Sequence, residues 1–191
     1  QAAISLAPVD FTGFMLGQFA SVAEVREAAQ NIRVVPVVTP ELGVAAPVHF
    51  SITDRSGDQV IVEYIGGVLK IYEKTLGVLT NSPPYDWHIN NARNYINMRS
   101  VDWPEVDVNG VDLAPIGYGT GLLGLPGDFT PPSRFIRALA WTQTSRPTDG
   151  GEDTVHEALR ILANFQLPME ATDQKLNPAE LKVLKYGGTQ Y

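Results

Sequence analysis

The stretch Gly77–Tyr95, GVLTNSPPYDWHINNARNY, predicts a short buried strand over Gly77–Thr80, a sharp turn over Asn81–Pro84 and then a helix from Tyr85 to Met98. Ile89, Ala92, Tyr95 and Ile96 recur at helical spacing. Asn81 stands where the strand runs out, so its carboxamide is placed to face a cleft beyond the sheet. Asn-Ser-Pro-Pro is also ordinary turn chemistry, because Asn tolerates unusual backbone angles and Pro cannot donate to a ladder.

Upstream of this stretch the sequence reads as a meander. Val48–Arg55 and Gln59–Ile65 alternate on either side of Ser56-Gly57-Asp58, a hairpin pattern, and Gly66-Gly67 turns the chain into Val68–Glu73. Arg33–Val38 is β-branched, with Pro36 placing it at an edge or bend. Before it, Ser21 and Glu24 form a capping box for a helix whose buried stripe is Val22, Val25, Ala29 and Ile32. Phe11–Phe19 is apolar and loosely helical, weakened by Gly13 and Gly17.

Downstream, residues 99–129 are rich in Gly, Pro and Asp and read as a long loop, of the kind used for binding or assembly. Thr130 then caps a helix with Pro131 at its first position and Phe135, Ile136, Leu139 and Ala140 on its apolar face. A further helix is expected over Asp153–Phe165, burying Val155, Ala158, Leu159 and Leu162, and ended by Pro168. Lys182–Tyr186 is a candidate strand. Strands grouped first and helices mostly after give an α+β class with antiparallel sheet. The length of 191 residues with 44% apolar content fits a single domain spanning 1–191.

The formal charge is −7 and the sequence pI about 4.9, with no Lys/Arg cluster, which argues against nucleic acid or an anionic membrane as partner. The chain contains no Cys, so no disulfide, thiolate metal site or cysteine nucleophile lies within it. Gly119–Gly124 matches a dinucleotide fingerprint by letter but follows no strand and opens no helix. His156-Glu157 begins a zinc-protease pattern, yet Arg160 stands where the second ligand belongs. His156 is read as a surface helix residue and His49 as a satisfied core or edge residue. Arg134 is the local oddity: it sits in the first turn of its helix, where the macrodipole disfavours a cation. An ion pair with Asp128 is the ordinary explanation, and a role in a site is the other.

GVLTN with Pro83, then GLPGD at Gly124–Asp128, then Ser133-Arg134-Phe135 resemble the choloylglycine hydrolase family of penicillin V acylases and conjugated bile salt hydrolases. Pro47-Val48-His49, the Asp54–Val62 hairpin and EALRILANF extend the likeness over essentially the whole chain. PPYDWHINNARNY and VDLAPIGYGTGLLGLPGD look closer to the Gram-negative penicillin V acylase branch, some members of which also cleave N-acyl homoserine lactones.

The resemblance implies an N-terminal nucleophile hydrolase, an αββα sandwich of two antiparallel sheets between helix layers, here expected to be incomplete at both ends. It implies amide hydrolysis through an N-terminal cysteine and an acyl-enzyme, with the free α-amino group as base. Carried over, Asn81 is the oxyanion-hole donor, and Arg134 sits against the nucleophile, with Arg137 as the alternative one turn on. Residues 99–118 resemble a subunit-assembly arm, which fits the apolar tips Val101, Trp103, Val106 and Leu113.

The implied partners are a small-molecule amide substrate, the remaining segments of the same protein and further copies in a homotetramer. No cofactor or metal is implied, and a periplasmic location follows from the branch. The chain departs from the family in beginning with Gln1 rather than Cys and in stopping at GGTQY. It is therefore expected to be an internal portion of a longer enzyme, inactive alone and exposing strand edges. The alternative of another class is a non-catalytic fragment or a binding or structural module.

Overall fold

The computed structural model describes residues 4–38, 40, 43 and 45–168; the expected strand at Lys182–Tyr186 lies outside them. The described residues fall into two compact units, one comprising those up to Trp87 and the other those from His88 to Pro168.

In the first unit, β1 (Ile4–Leu6), α1 (Pro8–Gln18), α2 (Val22–Ala29) and β2 (Ile32–Val34) follow one another, and β1 pairs with β2 in parallel, Ile4 opposite Ile32 and Leu6 opposite Val34. Parallel strands need a crossover, and the two helices supply it. This pairing corrects the purely antiparallel expectation. The strand expected over Arg33–Val38 is also shorter: it ends before Pro36, which has no N–H for a ladder, and Val38 makes only an isolated bridge to Ala45.

The capping box forms as read. Ser21 Oγ accepts from the Glu24 N–H at 3.3 Å, while Glu24 Oε2 accepts from the Ser21 and Ala20 N–H groups at 3.3 and 2.7 Å. A further first-turn donor, the Val22 N–H, goes to Asp54 Oδ2 at 2.9 Å. Ile32 is buried but belongs to β2 rather than to the helix.

β3 (Phe50–Thr53), β4 (Gln59–Ile65) and β5 (Val68–Tyr72) form an antiparallel sheet with β4 central, Phe50 opposite Val62 and Val62 opposite Ile71. Gly66 and Gly67 both take left-handed φ, 59° and 77°, which the two-residue turn between β4 and β5 requires. The core joins Phe11 and Met15 of α1 and Val22 and Val25 of α2 to Val60, Val62 and Tyr64 of β4. Phe11 stacks on Phe50 with centroids 4.1 Å apart. Each such side chain contributes about 1.5–3 kcal/mol by leaving water.

Gly77–Thr80, expected as a strand, is not one. Gly77 turns the chain at φ 74°, and side chains take up neighbouring backbone groups: the Leu76 N–H donates to the Tyr85 hydroxyl at 2.6 Å, and the Thr80 carbonyl bonds to His49 Nε2. Val78 is nonetheless buried. After the turn, which includes a cis Ser82–Pro83 bond, α3 (Tyr85–Ala92) begins where expected but tightens into a 3-10 turn over Arg93–Tyr95. It stops short of Met98. Asn90, Asn91 and Asn94 are poor helix formers at this end of the helix.

In the second unit, the segment read as loop contains a hairpin, β6 (Val106–Val108) and β7 (Val111–Leu113), closed by Asn109-Gly110 at φ 56° and 80°. Thr120–Leu122 is a single 3-10 turn, and no nucleotide-binding strand–turn–helix surrounds Gly119. α4 (Pro131–Thr144) has Pro131 at its first position and buries Phe135, Ile136 and Ala140. Thr130 occupies the cap position, but its hydroxyl donates to Asp128 rather than capping the helix.

α5 runs Gly151–Ala163, and its expected buried stripe is exposed: Val155 56%, Leu159 56% and Leu162 59%. Its apolar periodicity calls for a covering surface that the described residues do not provide. Helices with mainly antiparallel sheet make the chain α+β.

Candidate active site

Asn81 lies in the first unit, exposed on the turn between Thr80 and Tyr85. Beneath that turn is a buried polar group that the apolar run of β4 conceals. Glu63, on the central strand, is 1% exposed. An unpaired carboxylate there would be costly, so its partners matter. The Tyr85 N–H, at the start of α3, lies 3.1 Å from both of its oxygens. A helix N-terminus favours an anion, so the dipole and the hydrogen bond act together. His49 Nδ1 lies 2.9 Å from Glu63 Oε1, and His49 Nε2 bonds to the Thr80 carbonyl.

Two phenols border the carboxylate. Burial pushes the Tyr72 hydroxyl well above its ordinary value, and the charge of Glu63 adds to that. Burial likewise raises Tyr85, whose hydroxyl accepts from the Leu76 N–H. His49 is thus satisfied, as read from sequence, and its bond to Thr80, the residue before Asn81, is a feature the sequence does not disclose. The available signal was a lone Glu inside QVIVEYI.

Arg134 and Arg137 lie in the second unit, on α4. Asp128, just ahead of the helix, accepts from the Thr130 N–H at 2.9 Å and from the hydroxyls of Thr130 and Ser133 at 2.5 and 2.6 Å. Those bonds, Ser133's first, hold its carboxyl at about 2. Arg134 is half-buried and donates from Nε to the Phe129 carbonyl at 3.0 Å. Burial, and then the charge of Arg137, disfavour its cation. A guanidinium stays charged regardless.

Arg137 differs. It is 6% exposed, and its Nη1 donates to the Pro126 carbonyl at 2.9 Å and to the Asp128 carbonyl. Its guanidinium lies over Phe129 and Phe165, 5.6 and 5.4 Å from the ring centres. It fastens the GLPGD loop to the helix.

Residues 99–121 close on themselves. Asp102 Oδ1 accepts from the Gly119 and Thr120 N–H groups, both at 2.7 Å, and from the Thr120 hydroxyl at 3.0 Å. The Thr120 N–H is the leading cause that lowers the Asp102 carboxyl. The Arg99 guanidinium lies 3.8 Å over the Trp103 ring. Beyond this clasp the β6–β7 hairpin exposes Val106, Val111 and Leu113. His156 is exposed on α5, and no cluster able to hold a metal ion occurs among the described residues.

Residues 1–184 match the family model of linear amide C–N hydrolases of the choloylglycine hydrolase family. A bile salt hydrolase/transferase of Clostridium perfringens is 36% identical over 163 residues, 85% of this chain and 50% of that protein. A penicillin V acylase of Pectobacterium atrosepticum is 28% identical over 137 residues, 70% of this chain and 31% of that one. Among solved structures, an arginine-to-leucine variant of the conjugated bile acid hydrolase of Clostridium perfringens superposes with a TM-score of 0.76 at 34% identity, covering 90% of this chain and 52% of that one.

The chain therefore spans about half the length of the first curated relatives it matches, 50% and 57%. The α+β fold is that of the N-terminal nucleophile hydrolases, as expected. The chain belongs to the choloylglycine hydrolase family of linear amide C–N hydrolases.

Proposed function

We propose that the whole protein cleaves an N-acyl amide through a cysteine nucleophile supplied by a segment outside these 191 residues. The free α-amino group takes the thiol proton, the thiolate attacks the amide carbon, the oxyanion is met by the Asn81 side-chain N–H, and collapse breaks the C–N bond as the resulting ammonium returns that proton to the leaving amine. Water then attacks the thioester, releasing the carboxylic acid and restoring the thiol. A donor such as Asn81 stabilises the oxyanion by about 2.7–4 kcal/mol. Arg134 favours the thiolate by its fixed charge. The family match over residues 1–184 carries this reading, and the exposed turn position of Asn81 supports it.

Penicillin V is the first acyl substrate proposed, on the wording of PPYDWHINNARNY and VDLAPIGYGTGLLGLPGD. Conjugated bile salts are the second, favoured by the higher identity to the bile salt hydrolase, 36% against 28%. The exposed β6–β7 hairpin within residues 99–118 is the proposed contact between copies in an oligomer.

The test is the full-length protein incubated with penicillin V, a glycine- or taurine-conjugated bile salt and an N-acyl homoserine lactone. Release of the free acid from one of them supports the proposal. No release from any, with the N-terminal cysteine present and unmodified, overturns it.

A further inference from the structure

The turn that carries Asn81 is tied at both ends to one carboxylate. At its far end the Tyr85 N–H reaches Glu63 directly, 3.1 Å from each oxygen. At its near end the connection runs through His49, with Nδ1 2.9 Å from Glu63 Oε1 and Nε2 on the Thr80 carbonyl. Thr80 is the residue before Asn81.

The chemistry of this chain of bonds is directional. A carbonyl can only accept, so His49 Nε2 carries a proton and donates it to Thr80. Nδ1 and Glu63 Oε1 then share the next proton along. Glu63 is 1% exposed on a strand paired on both sides, so its carboxylate is a fixed point of the unit. Burial strengthens each of these bonds relative to water.

A short turn containing Ser82, Pro83 and Pro84, outside any strand ladder, is held in part by what its two ends are bonded to. An oxyanion donor acts only when it is in position before the reaction begins.

We propose that His49 and Glu63 are positioning residues, which fix the Thr80 carbonyl and the Tyr85 N–H and so hold Asn81 in place as a hydrogen-bond donor. The inference rests on the reading of Asn81 as the oxyanion donor. His49 and Glu63 touch no reacting atom; they act through the backbone on either side of Asn81.

The test is a double-mutant cycle in the full-length protein, on whichever amide it hydrolyses. Glu63→Ala lowers kcat by about a hundredfold, the effect of a donor displaced by about an ångström, and leaves KM within about twofold. In an Asn81→Ala background the same change has no further effect, since the donor it positions is already gone. Glu63→Gln, which can still accept the Tyr85 N–H and donate to Nδ1, restores most of kcat.

Should Glu63→Ala fail to fold, His49→Ala carries the same cycle, because it removes the link between Glu63 and the Thr80 carbonyl. Equal losses of kcat in the wild-type and Asn81→Ala backgrounds would overturn the positioning role while leaving Asn81 in the site. An Asn81→Ala variant with unchanged turnover would instead remove the reading beneath it.

Discussion

The Tyr85 N–H and the Glu63 carboxylate meet inside the first unit, 3.1 Å from nitrogen to each oxygen, and anchor the start of α3 to the central strand of the sheet. The start of α4 is anchored by a carboxylate as well, Asp128, but there the acid is exposed and its partners are local: Thr130 and Ser133. One anchor is buried and joins elements distant in sequence. The other is open to solvent and orders a single turn.

Hydrogen bonding to its ionised form makes the Asp128 anchor sensitive to acid. Its carboxyl is held at about 2, below the ordinary 3.8, because the folded state hydrogen-bonds the ionised form. A depressed value means stability present above the unfolded pKa and lost as pH falls through the folded one. Asp128→Asn therefore lowers the urea midpoint at neutral pH. The gap between wild type and variant holds down to about pH 4 and closes by about pH 2. A gap of constant size across that window would contradict the assignment.

Gly121 marks a close backbone approach. A methyl group there would sit 2.3 Å from the Val101 carbonyl oxygen and 2.4 Å from that of Arg99. Backbone cannot swing aside as a flexible side chain can, so Gly121→Ala costs about 1–3 kcal/mol. Thermal or urea unfolding reads this directly; a loss under about 0.5 kcal/mol, the usual range for surface changes, would mean the clasp at Asp102–Thr120 is looser than described.

The two arginines of α4 separate by what they bond. Arg137 spends its buried guanidinium on the Pro126 and Asp128 carbonyls, so Arg137→Met lowers stability by about 1.5–3 kcal/mol, the range for hydrogen bonds to a charged group. Arg134→Met in the whole protein has the smaller effect on stability and lowers kcat by about tenfold or more, roughly 1.4 kcal/mol of barrier. Unfolding curves and turnover measured on both variants distinguish them. The reverse pattern would move the site role to Arg137.

Much of this is legible from local signals. The capping box at Ser21 and Glu24, the β3–β4–β5 meander with its Gly turns and the Pro131 start of α4 each follow from residues close in sequence. The parallel β1–β2 pair is not, because its pairing is non-local and each strand has only three residues. Asn109-Gly110 is a readable hairpin signal, masked because Val-Asp-Val and Val-Asp-Leu are too short to establish alternation. The stripe on α5 is legible as periodicity but not as burial, since a pattern states what a helix can cover and not what lies over it. At the site, Asn81 stands out by its turn and by resemblance, whereas Glu63 is hidden in an apolar strand where only its three-dimensional partners explain a charge.

The role of Asn81 is tested most directly by kcat for Asn81→Ala against wild type in the full-length enzyme, with circular dichroism to establish an unchanged fold. The expected loss is about a hundredfold or more, the worth of one oxyanion donor. Turnover equal to wild type in a folded variant would place the oxyanion elsewhere and contradict that role.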